Sequence, residues 1–472
     1  MSNPASPQHL GWLGILRLGL VQTSIGAIVV MTTSTLNRVM VVELALPALV
    51  PGILVAIHYA AQALRPRMGH GSDVGGRRTP WIIGGMIMLA SGGVGAAAAT
   101  ALMTQSYGVG LAFAALSFLA IGVGVSAAGT NLLVLLTKRT EESRRPAAAT
   151  IVWLMMIAGC AFTAIGAGKL LDPFSTARLV WVTALVSSLA VLLTVVSVWG
   201  VEGKTANIAT TLEPDAPKPA FKQTLTEVWA EPQARLFTIF VFISMIAYSA
   251  QDLILEPFAA VLFNLTVGQT TILSGMQHQG VFLGMIVVAV CGSVIGGPRL
   301  GSLRLWTIGG CLGSALALGG LVLAGLVGPS WPIRTNVFLL GVANGAYASA
   351  AIASMMSLAG QGRQSREGVR MGLWGAAQGI AFGIGGLAGT AASDFARYVI
   401  GTPTLAYAAV FATEALLFVV AAHLAWRVGD VRDGHATARS KADISASLAH
   451  ARGIISTSLS GFTTTGSKGS RP

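Results

Sequence analysis

Charge is scarce in this chain. Of 472 residues only 10% are Asp, Glu, Lys or Arg, against about 25% in a soluble domain. So little charge excludes an ordinary water-facing exterior. Acids are scarcer than bases, 18 against 30, which leaves a formal charge of +12. That excess does not point to nucleic acid. The basic residues stand in short turns between apolar runs, and no nucleic-acid-binding module is present. Cysteine is nearly absent. Cys160, Cys291 and Cys311 each lie inside an apolar run, which excludes a disulfide framework and a metal-spaced cluster. There is no nucleotide-binding glycine loop before a helix, no HExxH and no GxSxG in a strand–turn–helix setting. No enzyme is expected.

What the chain has is long apolar stretches, with 53% hydrophobic residues. A helix needs about 20 apolar residues to cross a bilayer. Twelve runs meet that need, near 18–42, 46–64, 80–103, 109–136, 147–170, 179–200, 235–258, 269–296, 304–328, 335–359, 369–392 and 403–426. The fold expected is an all-α integral membrane protein of two six-helix halves. Residues 1–10 are polar, and the first run is too long for a signal peptide and lacks a cleavage-like end, so it reads as retained. The halves are 11–200 and 235–427, joined by a Pro-rich linker at 201–234. Phe221, Leu225 and Val228 give part of that linker helical spacing, so it is either a surface helix or a plain flexible link. The tail 428–472 is rich in Ser, Thr and Gly and reads as disordered.

Basic residues crowd the even turns: Arg65, Arg67, Arg77 and Arg78 in the second, Lys138, Arg139, Arg144 and Arg145 in the fourth. The odd turns hold few, among them Lys169, Arg178, Arg334 and Arg397. The positive-inside rule then places both termini in the cytoplasm. A trace of internal repetition supports two halves: Ser143-Arg144 precedes Trp153, and Ser365-Arg366 precedes Trp374. Glycines stand four apart at Gly375, Gly379 and Gly383 and at Gly385 and Gly389, and the fourth span holds Gly122, Gly124 and Gly129. Such faces pack helices closely, or let them slide.

Ionisable groups within spans are costly and therefore informative. The first span ends with Asn37, Arg38 and Glu43; the seventh ends with Gln251, Asp252 and Glu256. Asp252 and Glu256 are four apart and share a helix face. Arg38 is expected to face Asp252 or Glu256 between the halves. This cluster is a salt bridge closing the periplasmic side, a polar rim for a ligand, or a set of snorkelling side chains. His58 lies near mid-membrane with Gln62 one turn on; it is either a metal ligand or hydrogen-bonded to a neighbour. His278 is a weaker candidate of the same kind. Glu414 in the last span either meets a partner protein or hydrogen-bonds while protonated.

The turn RPRMGHGSDVGGRRTPW at Arg65–Trp81 is polar and helix-breaking. Its pattern Gly69-x-x-x-Asp73-x-x-Gly76-Arg77-Arg78 resembles the loop between the second and third helices of the major facilitator superfamily. Asp73, Arg77 and Arg78 form either a cytoplasmic gating loop or a static turn. Longer stretches resemble the PucC/LhaA family of phototrophic bacteria: LVQTSIGAIVVMTTSTLNRVMVVELALPALVPG, IHYAAQALRPRMGHGSDVGGRRTPW, GTNLLVLLTKRT and SAQDLILEPF. The form His58–Asp73 looks closer to the PucC branch. The resemblance implies an assembly factor for the peripheral light-harvesting antenna in the intracytoplasmic photosynthetic membrane. It implies antenna α/β polypeptides as partners and bacteriochlorophyll as ligand. A proton-coupled transporter of a small solute and a ligand-free scaffold are the alternatives. On the pigment reading, Arg38, Glu43, His58, Gln62, Gln251, Asp252 and Glu256 are the candidate ligand site, His58 is the candidate axial ligand to the chlorin magnesium, and Glu414 a partner contact.

Overall fold

The computed structural model describes residues 10–65, 77–141, 144–202, 226, 229–291, 302–360 and 367–428. Helices follow the apolar runs. In chain order they are α1 (Trp12–Glu43), α2 (Leu49–Ala61), α3 (Thr79–Leu102), α4 (Tyr107–Arg139), α5 (Arg145–Leu171), α6 (Thr176–Val198), α7 (Pro232–Phe263), α8 (Val267–Val290), α9 (Leu303–Val327), α10 (Ile333–Gly360), α11 (Glu367–Ile400) and α12 (Pro403–Val428).

Among the described residues, ten of these are long and apolar enough to cross a membrane. The two others stand where the sequence predicts the second and eleventh spans. The α-helical part of α2 has 13 residues, about 20 Å at 1.5 Å each, which is less than a bilayer core of about 30 Å. A 3₁₀ turn, Gln62–Leu64, extends it toward Arg65. Helix α11 has length enough, 34 residues, but its glycines, Ser393 and Asp394 lower its apolar character. The gating-loop residues Gly69, Asp73 and Gly76 lie outside the described residues, as do most of the linker and the tail.

Burial divides the molecule in two. One core gathers side chains of α1–α6, among them Ile28, Leu54, Met86 and Phe118, and is joined by Leu253 of α7 and Val267 of α8; another gathers those of α7–α12, among them Phe258, Tyr347, Trp374 and Phe411. The two sets of six helices meet where α5 packs on α8, α2 on α11, and the middle of α1 on α7 and α8.

Close approach of helices is set by glycine, though not always where the sequence pointed. Gly385 and Gly389 of α11 lie against the backbone of Ile246 and Ala250 in α7. Gly124 of α4 lies against Gly85 and Leu89 of α3, and Gly122 against the His58 carbonyl. By contrast Gly379 faces open space, and Gly129 and Gly383 meet only loosely packed neighbours. The tightest reciprocal pairing is elsewhere. Gly280 and Gly284 of α8 lie on the carbonyls of Phe338 and Val342, while Gly341 and Gly345 of α10 lie on those of Gln277 and Val281.

Candidate functional site

Helix α1 is not a plain α-helix. Met31–Thr35 and Val39–Glu43 are π-helical turns flanking Leu36–Arg38. Such turns are rare and concentrate at functional sites. Here they turn a row of polar groups toward α7 and α8. Ser34 Oγ contacts Glu256 Oε1 and lies 2.9 Å from Ser274 Oγ. Thr35 Oγ1 is 3.2 Å from Thr271 Oγ1. Asn37 Nδ2 donates to the Leu253 carbonyl at 2.6 Å. That carbonyl is free because Pro257, four residues on and inside α7, has no N–H to give it.

Arg38 makes no salt bridge to Asp252 or Glu256 among the described residues, although Glu256 lies within range of its charge. It is 3% exposed, its Nη1 pairs with Glu43, and its Nη2 donates to the Leu265 carbonyl at 3.1 Å. The π-helical turn is the reason: it brings residues five apart, such as 38 and 43, onto one side. Among the described residues Glu256 makes no salt bridge; Ser34 contacts its Oε1, and its Oε2 has no hydrogen-bond partner. Gln251 is wholly buried, and neither end of its amide has a partner.

Asp252 differs from its neighbours in burial. It keeps partial accessibility although it lies at membrane depth. Groups of both halves are within reach of its charge: Tyr59 and Cys160 of the first, Tyr248 and Tyr347 of the second. Gln277 is near enough to hydrogen-bond it. Beside it runs an aromatic row that crosses the seam. Tyr59 meets Phe382 at 5.4 Å in a tilted pair, Phe382 meets Tyr248 edge to face at 5.8 Å, Tyr248 and Tyr347 are tilted at 6.4 Å, and Tyr347 meets Phe418 edge to face at 5.7 Å. Tyr59, Phe382 and Tyr248, like Asp252, are only partly buried. Sequence reading missed this row. Tyr248, one turn before Asp252, could have been found by spacing; Phe382, remote in sequence, could not.

His58 is enclosed, 2% exposed, between α2 and α4. Its Nε2 is 3.0 Å from Gln62 Nε2, its Nδ1 has no partner, and Gln62 Oε1 receives Arg65. His278 Nδ1 is 2.8 Å from the Ser274 carbonyl. Glu414 is 2% exposed on the core side of α12, with both oxygens unpartnered. It lies within range of Asp252's charge. In the Arg65–Trp81 turn Arg77 is exposed and Arg78 buried. The start of α3 is held by Glu202, which the sequence did not single out. Glu202 accepts from the backbone amides of Arg78 and Thr79, the latter at 2.9 Å. Burial alone would raise this carboxyl, but the bonds from Thr79 and Arg78 and the Arg77 charge together hold it below its ordinary value.

One apolar groove of about 1080 Å³ opens on the outer surface of α9, α10 and α12, lined by Leu316, Leu323 and Leu416. It is remote from this polar centre.

The architecture matches solved transporters. A D-xylose–proton symporter aligns with a TM-score of 0.66 and 13% identity, over 88% of this chain and 97% of that one. A structure described as showing substrate recognition in proton dependent oligopeptide transporters aligns at 0.62 and 15%, over 88% and 98%. At such identities the likeness shows the fold alone. Sequence relatives are nearer. The chain is 52% identical to the "Bacteriochlorophyll synthase 44.5 kDa chain" of Rhodobacter capsulatus, over 88% of this chain and 95% of that protein. It is 30% identical to "Protein PucC" of Cereibacter sphaeroides, over 87% and 91%, and 29% to the "Uncharacterized protein in puhA-bchM intergenic region" of Rhodobacter capsulatus, over 89% and 90%. The PUCC protein family profile matches residues 35–432. This multi-pass, major-facilitator-like membrane protein therefore belongs to the PUCC family.

Proposed function

We propose that the protein is a non-enzymatic assembly factor for the bacterial light-harvesting antenna, the peripheral antenna by preference, and that it holds bacteriochlorophyll between its two six-helix halves before antenna α/β polypeptides take it. It works in the intracytoplasmic photosynthetic membrane with both termini in the cytoplasm. The observation that carries this reading is the aromatic row beside Asp252. A chlorin is a flat conjugated ring that stacks on aromatic faces, and its magnesium is a hard cation that takes oxygen or nitrogen donors. Tyr59, Tyr248 and Phe382 offer such faces at a partly accessible place, and Asp252 offers an oxygen donor there. The residues thus fit the group in kind. His58 fits less well in this arrangement, because Gln62 occupies its Nε2 and the ring is enclosed.

Family membership supports the assembly role, and the synthase name of one relative ties that protein to the same pigment. Purification from a pigment-making host decides the matter. The wild-type protein is expected to carry far-red absorption or bound antenna polypeptides. Asp252→Ala and Tyr248→Leu should lose most of the absorption, whereas His58→Ala should keep it. A colourless wild-type protein with no antenna polypeptides attached would overturn the proposal.

A second reading, proton-coupled transport of a small solute, draws on the acids Asp252 and Glu256 at membrane depth and on the transporter fold. Uptake by proteoliposomes that Glu256→Gln abolishes would favour it. Antenna assembly that survives the triple loss of Arg38, His58 and Glu256 would favour a ligand-free scaffold.

A further inference from the structure

We propose that Asp172 and Asp394 form a paired latch that holds one face of the molecule shut, and that the two halves part there when both carboxylates let go. Asp172 ends α5 and reaches the start of α8. Its Oδ2 accepts from Thr266 Oγ1 at 2.7 Å and its Oδ1 from the Gly268 amide at 3.2 Å. Asp394, near the end of α11, reaches the start of α2. Its Oδ1 accepts from the Ala48 amide at 3.0 Å and its Oδ2 from the Leu49 amide at 2.8 Å.

The two contacts are the same device used twice. Each carboxylate belongs to one half and caps a helix of the other. Exchanging the halves turns α5 into α11 and α8 into α2, so the pair obeys the twofold relation expected of this fold. Both lie on the face opposite the Arg65–Trp81 turn, since Asp172 falls in an odd-numbered connection and Asp394 lies in the last two turns of α11, just before another. Beside each latch a glycine lets the helices approach closely, backbone to backbone at Gly168 and backbone to side chain at Gly52. A Cβ on Gly168 would strike the Gly268 carbonyl, and one on Gly52 would strike the Thr390 hydroxyl. Between the latches Arg38 adds a third tie, its bond to the Leu265 carbonyl across the seam.

The chemistry suits a catch that opens. The first amides of a helix have no partner within it and carry the positive end of its dipole. A carboxylate there is well placed. Water can replace it at little cost where the site is wet, and one bond of each pair is exposed. Neither aspartate makes a salt bridge among the described residues, although Arg397, on the same helix, lies within range of the Asp394 charge. A permanent brace would bury its charges; these sit at the rim. The inference does not depend on which ligand the interior takes.

Spin–spin distances on the full chain in nanodiscs test it. Labels go at Gln105 and Ser330, exposed residues in connections of opposite halves on the latched face, with Cys160, Cys291 and Cys311 replaced by serine. The intact latch should give one short distance. Asp172→Ala or Asp394→Ala alone should broaden it, and the double variant should add a second, longer population. On the Asp394→Ala background the Asp172→Cys/Thr266→Cys pair, which also lacks the second carboxylate, should show the longer population while its thiols are free and lose it once they are joined. A double variant with a wild-type elution profile and an unchanged distance distribution would overturn the latch. Should the double alanine variant fail to fold, Asp172→Asn/Asp394→Asn carries the test: weakened but isosteric, it should lengthen the distance in part, and no change again overturns it.

Discussion

Arg38 shows how a single side chain can be read correctly for burial and wrongly for partner. Its place in an apolar run marks it as costly and therefore held. The partner depends on helix type, and the π-helical turn Val39–Glu43 gives Glu43 the position that an α-helix would deny it. Arg38 is buried and Glu43 about a third exposed. Arg38→Ala is expected to cost roughly 1–3 kcal/mol, because a buried donor set is lost and an acid stranded. Much of that should be absent when Arg38→Ala is made on Glu43→Ala; a double-mutant cycle on melting temperature in detergent checks it. Glu202 offers a second measurement. Its carboxyl is held below the ordinary 4.5, so the folded state gives up its proton sooner than the unfolded. The stabilisation is whole above that ordinary value and is lost as pH falls through the lower, folded one. Glu202→Ala should cost about 1 kcal/mol as a lost helix cap. The variant should also lose less stability than wild type between about pH 5 and pH 3. Composition marked Asp252 and Glu256 as informative. The Tyr59–Phe382–Tyr248 row was hidden, since aromatics in apolar runs carry no mark of which face they take.

Helices were the legible scale. Long apolar runs define them, and the run limits fall within a few residues of the helix ends for most, though α1 starts earlier, at Trp12. The π-helical turns left no sequence sign, and α2 proved shorter than its apolar run. Glycine periodicity pointed to close packing in general. Which glycines are tight depends on the facing helix, and that is a tertiary fact. The α8–α10 seam is the sharpest case. Gly284→Ala would push a methyl group against the Val342 carbonyl, and overpacking of this kind costs roughly 1–3 kcal/mol. Gly319→Ala in α9 meets open space and should be neutral or stabilising by up to about 1 kcal/mol through helix propensity alone. Paired thermal melts of the two variants distinguish a packing role from a merely compositional one.

At the scale of the whole molecule, the span count and the long turn 201–234 led to the expectation of two six-helix halves. The ties between halves were not legible. Asp172 and Asp394 sit at helix ends, where an acid is ordinary, and their partners are more than ninety residues away. The two cores described above, which among the described residues share only Leu253 and Val267 across the seam, have a practical result. If each set of six helices buries its own apolar interior, covalent continuity through the linker is dispensable. A gene divided after residue 214 and expressed as two open reading frames should yield pieces that find each other in the bilayer and copurify through an affinity tag on either one. Recovery of the tagged piece by itself would mean that the halves mature only as one polypeptide.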